Sequence, residues 1–249
     1  MTTEQSTANF LARSIELLWG TPERPSRGPK PGLTVDRIVD TAITVADTDG
    51  LDALSMRRVA RELGAGTMSL YRYVPGKVEL LILMLDRVSD PSEDVQKAVG
   101  MNWRGVLEVA ARGSFHLYRR HPWLLQVNWT RPVFGPNTLA RVEFVISGLG
   151  DLGLSDQERV NVLLAIDGYV TGTARTQIQY ASAAEETGIT DEEYWQQQIP
   201  ALERAMETGR YPAMATLADD AFDAGWEESF EFGLQRLLDG IAALIATRR

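Results

Sequence analysis

From Leu33 onward, apolar residues return every three or four positions between glycine and proline stops, and nowhere alternate with the period of two that a half-buried strand requires. This periodicity confines the chain to packed amphipathic helices, an all-α fold. In residues 33–50, Val35, Ile38, Val39, Ala42 and Ala46 share one face, with Thr34 placed as N-cap and Gly50 as the stop. A second, short helix opens at Ser55, buries Met56, Val59, Ala60 and Leu63, and ends at Gly64. After Gly64-Ala65-Gly66, Thr67 is positioned to cap a third short helix over residues 68–74, which Pro75-Gly76 terminates. Lys77 to Val88 reads as a fourth, with Val78, Leu81, Ile82 and Leu85 on one side.

The rest of the chain keeps the same period. Trp103, Val106, Leu107, Ala110, Ser114 and Leu117 fit a helix stopped near His121-Pro122, and residues 138–149 fit another that Gly150 ends. Ser155 with Glu158, and Thr190 with Glu193, are capping-box pairs that open two more helices. A last helix over residues 223–246 lines up Trp226, Phe230, Leu234, Leu237, Ile241 and Leu244. Before Leu33, the run TPERPSRGPKPG reads as a loop or arm, and Phe10, Leu11, Ile15, Leu17, Leu18 and Trp19 can form a short helix, docked or free.

Composition removes whole classes of function. There are no cysteines among the 249 residues, which excludes disulfides, thiol nucleophiles and thiolate metal sites. No apolar run reaches the roughly 18 to 20 residues of a membrane span, and Met1 to Asn9 lacks the features of a secretory signal, so a cytoplasmic protein is expected. The net charge of −9 is unevenly spread: residues 24–80 hold nine Lys/Arg against seven Asp/Glu, and residues 81–249 hold fifteen against 24. A mildly basic segment joined to an acidic remainder suggests two tasks.

Two short helices joined through a glycine turn make a helix-turn-helix. In the second of them Leu70 and Val74 face the core, leaving Thr67, Met68, Ser69, Tyr71, Arg72 and Tyr73 to project elsewhere. Hydroxyls bind phosphate, Arg reads guanine edges and apolar tips touch thymine methyls, so this surface suits a major groove of double-stranded DNA. A solvated helical hairpin is the alternative.

The stretch LDALSMRRVARELGAGTMSLYRYVPGKVELLILMLD, with the Ser55-capped helix, Arg58 to Gly64, Leu70-Tyr71-Arg72-Tyr73 and Lys77, resembles the DNA-binding domain of the TetR family of bacterial transcription regulators. The remainder resembles the tetracycline-repressor-type C-terminal domain at Thr130-Arg131-Pro132, the 150–154 turn and FEFGLQRLLDGIAALI. The resemblance divides the chain into an extension and arm (1–32), a helix-turn-helix domain (33–80) and a domain for ligand binding and dimerisation (81–249). It implies DNA contacts at Met56, Arg57, Thr67, Met68, Ser69, Tyr71, Arg72, Tyr73 and Lys77. Arg57 and Arg72 are the candidates for base edges, and Arg24, Arg27 and Lys30 for a minor-groove arm.

It also implies a homodimer on a palindromic operator, paired through a four-helix bundle to which Gly168 and Gly172 would allow close approach. A small-molecule effector is expected in a pocket of aromatics and isolated polar groups, drawn from Trp103, Phe115, His116, Trp129, Phe134, Asp167, Thr171 and Arg175. Val127 and Thr176 stand where tetracycline receptors hold two of the groups around the magnesium-chelated drug, so a different compound is expected, with no metal or other cofactor.

An all-α enzyme is the competing class, with a helical small-molecule-binding or interaction module as a third. Against an enzyme, His116 and His121 form no HExxH, no GxSxG, GxGxxG or phosphate loop is present, and adjacent acids such as Glu185-Glu186 point apart on a helix. The expectation is a DNA-binding regulator, a repressor, and not an enzyme.

Overall fold

In a computed structural model, which describes residues 3–20, 32–128, 132–218 and 220–248, the chain forms helices and short 3-10 turns, with no strand among the described residues. The order is α1 (Thr3–Trp19), α2 (Val35–Asp49), α3 (Met56–Glu62), α4 (Thr67–Leu70), α5 (Lys77–Val88), α6 (Ser92–Lys97), α7 (Trp103–Arg120), α8 (Pro136–Gly148), α9 (Asp156–Thr187), α10 (Asp191–Glu207) and α11 (Trp226–Ala246). No helix among the described residues is long and apolar enough to cross a membrane.

Local chemistry sets most boundaries. Thr34 Oγ1 accepts from the Arg37 amide and Ser55 Oγ from the Arg58 amide, so both expected caps form. Ser155 and Glu158 cap each other's amides, as do Thr190 and Glu193. At the third short helix the outcome differs. Gly66 is the residue before the helix, Thr67 lies inside it, and regular helix ends at Leu70, with Tyr71 to Tyr73 in a turn. Leu70 and Val74 are fully buried on the same side, and the Val74 amide still donates to the Leu70 carbonyl at 2.9 Å, so the segment closes as a turn ahead of Pro75, which disfavours helical backbone at the residue before it.

Two cores result. The first joins α2, α3, α4 and α5 through Ile38, Val39, Val45, Leu54, Val59, Leu70, Val74, Leu80 and Met84. It also takes in Trp123 and Leu124, from the turn after α7. The second joins α7, α8, α9 and α11 through Leu107, Phe115, Val145, Val170, Leu234 and Leu238. Burying one such side chain contributes about 1.5–3 kcal/mol, so each core outweighs any single surface contact.

The N-terminal helix is docked. Leu17 and Leu18 of α1 pack against the first core, and Trp19 Nε1 donates to the Phe134 carbonyl at 2.9 Å. By contrast α10 leaves Tyr194, Trp195, Ile199 and Leu202 exposed. Arg24, Arg27, Lys30 and Trp129 lie outside the described residues.

Candidate functional site

The head formed by α2 to α4 presents its polar groups outward because its apolar ones are anchored. Leu70 and Val74 hold α4 and its following turn to the core, leaving Met68 at 77% exposure, Tyr71 and Arg72 on the surface, and Thr67, Ser69 and Tyr73 half-buried. The arginines of α3 divide by environment. Arg58 is neutralised by Asp49 and Glu62, both at 2.7 Å, whereas Arg57 is exposed and pairs with no acid among the described residues. Arg72 is likewise unpaired among them, so these two keep their charge for an incoming anion. Arg61, absent from the sequence-derived set, is 70% exposed on the same side of α3 as Arg57, four residues on.

Met56 differs from the others. It is 6% exposed and belongs to the head core, where its periodicity with Val59 and Ala60 puts it. Lys77, exposed at the start of α5, directs Nζ to the Leu51 carbonyl at 3.2 Å, which holds it beside the end of the head. Gly64 and Gly50, with φ of 63° and 81°, turn the chain in the left-handed region that side chains disfavour.

In the second domain the expected residues separate into core, an open groove and a polar face of α9. Phe115 is core: its ring stacks on Phe230 at 4.1 Å, and Tyr169 adds a third ring at 5.7 Å. Trp103 packs half-buried against the same cluster. Phe134 is exposed, and its carbonyl receives the Trp19 indole. His116 lies on the exposed side of α7, in a groove of about 870 Å³ between α6 and the start of α11 that Arg112, Arg119 and Arg141 also line.

Asp167, Thr171 and Arg175 repeat every four residues along α9 and share a face. Thr171 Oγ1 donates to Tyr118 Oη at 3.3 Å, which joins this face to α7. Burial raises the Tyr118 phenol above its ordinary value, and the neighbouring Asp167 raises it further, while Arg141 and Arg175 pull it down. Burial also raises Asp167, with Arg141 opposing. Arg141 of α8 donates to Ser114 at 2.9 Å and lies 3.5 Å from Asp94 of α6, whose carboxyl burial likewise raises.

Three helices therefore bring half-buried Ser114 and Tyr118 of α7, Arg141 of α8 and Thr171 of α9 into one polar neighbourhood, with Asp167 and Arg175 on the exposed edge of the same α9 face. Such a setting orients a small organic molecule by a few directed hydrogen bonds. Sequence reasoning missed Tyr118, Arg141 and Ser114. The spacing of Ser114 and Tyr118, four apart on α7, was a usable signal, but nothing local joins Arg141 to them.

Comparison with known proteins identifies two family matches along the chain. The family described as bacterial regulatory proteins, tetR family, matches residues 38–84. The tetracyclin repressor-like C-terminal domain matches residues 98–245. The chain is 54% identical over 247 residues to the HTH-type transcriptional repressor DrrR1 of Streptomyces coeruleorubidus, covering 99% of this chain and 91% of that protein. An HTH-type transcriptional regulator of Saccharopolyspora erythraea is 35% identical over 91% of each chain. Among solved structures, apo ActR of Streptomyces coelicolor superposes with a TM-score of 0.69 at 27% identity, over 89% of this chain and 100% of that one. ActR in complex with actinorhodin also has a TM-score of 0.69, at 29% identity over 88% and 99%. A head with unpaired arginines beside a short exposed helix, a helical body with a polar face between α7, α8 and α9, and these relatives lead to one assignment: the chain belongs to the TetR family of bacterial transcription regulators, DNA-binding repressors and not enzymes.

Proposed function

We propose that the chain represses transcription as a homodimer on a palindromic operator in double-stranded DNA, and leaves it when a small-molecule effector engages the polar face between α7, α8 and α9. The observation that carries the DNA half is the surface of α3 and α4: Met68, Tyr71 and Arg72 exposed beside an unpaired Arg57, on a scaffold fixed by Leu70 and Val74. In this reading Arg57 and Arg72 meet base edges, and Thr67, Ser69, Tyr73 and Lys77 meet phosphates and sugars. Met56 acts from beneath, as core. Arg24, Arg27 and Lys30 add minor-groove contacts.

Dimerisation is supported by the outer faces of α9 and α11. Val160, Leu164 and Phe232 are exposed there, and a Cβ added at Gly168 or Gly172 would meet open space, room that a second copy can fill. The effector is supported by the Tyr118–Thr171 and Arg141–Ser114 contacts, and by ActR having been solved with actinorhodin and with (S)-DNPA. Val127, which offers no metal donor, favours an amphipathic or aromatic compound over a chelated drug. Binding shifts the two heads only if the compound prefers one of the two states. A partner in chromosomal DNA sets the protein's place in the cytoplasm.

The test is selection of bound sequences from a genomic DNA pool by the purified protein at near-physiological salt. A two-fold symmetric site with half-sites about one helical turn apart is the expected product. No enrichment, with or without a library of small molecules, would overturn the proposal.

A further inference from the structure

We infer that Asp47 is a positioning residue that seats the DNA-binding head on the effector domain, by holding a turn of that domain inside the head's core. The turn after α7, Pro122–Leu125, is followed and preceded by effector-domain chain, yet Trp123 and Leu124, each 1% exposed, pack with Ile38, Val39, Leu54, Val59 and Leu70 of the head. A tryptophan this deeply buried needs a partner for its indole N–H. Asp47, in the last turn of α2, supplies it: its Oδ1 accepts from Trp123 Nε1 at 2.7 Å. The same oxygen lies 2.7 Å from His121 Nδ1, and since a carboxylate only accepts, that nitrogen carries the proton. One oxygen thus receives two short hydrogen bonds from a pair of rings set edge to face at 6.0 Å.

The seat is directional. His121, 6% exposed with φ −126° and ψ 68°, ends α7, and Pro122 fixes the start of the turn, so the two donors sit on a rigid corner. Asp47 belongs to α2, against which α3 is packed, and α4 packs in turn on α3 within the same core. Two apolar side chains alone can slide on such a surface. A shared acceptor fixes both the rotation and the depth of the corner, and so fixes where α4 points relative to the body. Two residues, Arg119 and Arg120, separate Tyr118 of the polar face from His121, the first donor of the corner. The inference deepens the DNA-binding reading and rests on it only for the operator measurement.

The chain has no cysteine, so Asp52→Cys in the head and Glu143→Cys in the body give a unique pair of spin labels in the full-length protein, read by pulsed EPR after dilution with unlabelled chain. The expected result is one narrow distance distribution in the parent. Asp47→Ala should at least double its width and weaken binding to the selected operator about tenfold through lost preorganisation, with helical content unchanged. Asp47→Asn, which keeps an acceptor but no charge, should fall between. Parental width and parental operator affinity in Asp47→Ala would overturn the inference, as would a lower melting temperature with no change in width, which is what mere structural support predicts. Should Asp47→Ala fail to fold, Asp47→Asn decides by the same two readings. A parent that selects no operator would sink the DNA-binding reading, whereas the label widths still decide the seat.

Discussion

Arg57 and Arg58 are neighbours in sequence with opposite availability, because Asp49 and Glu62 neutralise Arg58 and leave Arg57 open. The contrast makes a paired prediction. Arg57→Ala should weaken operator binding by about 1–3 kcal/mol and relax preference at one base position, whereas Arg58→Ala should act mainly on the stability of the head. Titration of the operator and of a single-base variant with each protein distinguishes them, and a uniform loss across sequences would make Arg57 a phosphate contact. Asp94 gives a second prediction. Burial raises its carboxyl, with Arg141 opposing, so its favourable contribution is complete below the ordinary value of 3.8 and lost as pH rises through the raised folded value. Asp94→Asn should therefore melt about 2 °C higher at neutral pH, with the gain vanishing in acid; a gain that grows in acid would reverse the sign argued here. These distinctions were only partly legible in the sequence. The run Met56-Arg57-Arg58 shows that charge is present, but which arginine is spent on Asp49 depends on how α2 meets α3.

At the scale of the elements, what could be read was what local chemistry decides. Thr34, Ser55, Ser155 and Thr190 announce their helices because a cap acts within three residues, and Lys77–Val88 has the expected bounds, but its buried side is Leu80, Leu83 and Met84 and the expected Val78 is 56% exposed. The third short helix was overread, since Pro75 disfavours helical backbone at the residue before it and the closing turn begins at Tyr71. The polar face was half legible: the four-residue repeat of Asp167, Thr171 and Arg175 marks it, but periodicity does not say that Tyr118 and Arg141 lie opposite. Close packing between α9 and α11 yields a further prediction. A Cβ at Gly233 would come within 2.6 Å of Tyr169 Cζ, and Tyr169 Oη donates to the Phe230 carbonyl at 2.8 Å. Gly233→Ala should displace the ring, break that bond and cost about 1–3 kcal/mol of stability, measured by chemical denaturation. Phe115→Ala, which removes the ring stacked on Phe230, should cost about 3–5 kcal/mol.

Across the whole molecule the acidity and the DNA partner are reconciled by position, because the excess of Asp and Glu lies in residues 81–249, away from α3 and α4. Affinity for the operator should then fall steeply with salt, each neutralised phosphate adding about 0.9 to the slope of log K against log salt. Deleting residues 1–31 should lower that slope if Arg24, Arg27 and Lys30 reach the duplex; an unchanged slope would leave α1 as a structural piece alone. The exposed Tyr194, Trp195, Ile199 and Leu202 of α10 also take their meaning at this scale. No feature of the sequence separates a helix packed within its own chain from one awaiting a second copy, since both carry the same stripe.

The lodging of Trp123 and Leu124 among the head residues bears on how such proteins can be recombined. A head cut at residue 88 and grafted onto another body would carry an empty socket where two large side chains belong, and Asp47 would be left without its donors. Exchange of DNA specificity between relatives thus travels as two separated pieces of chain, the helices of the head and the corner after α7, and a chimera that moves only the first should be made as aggregate while one that moves both should be made soluble.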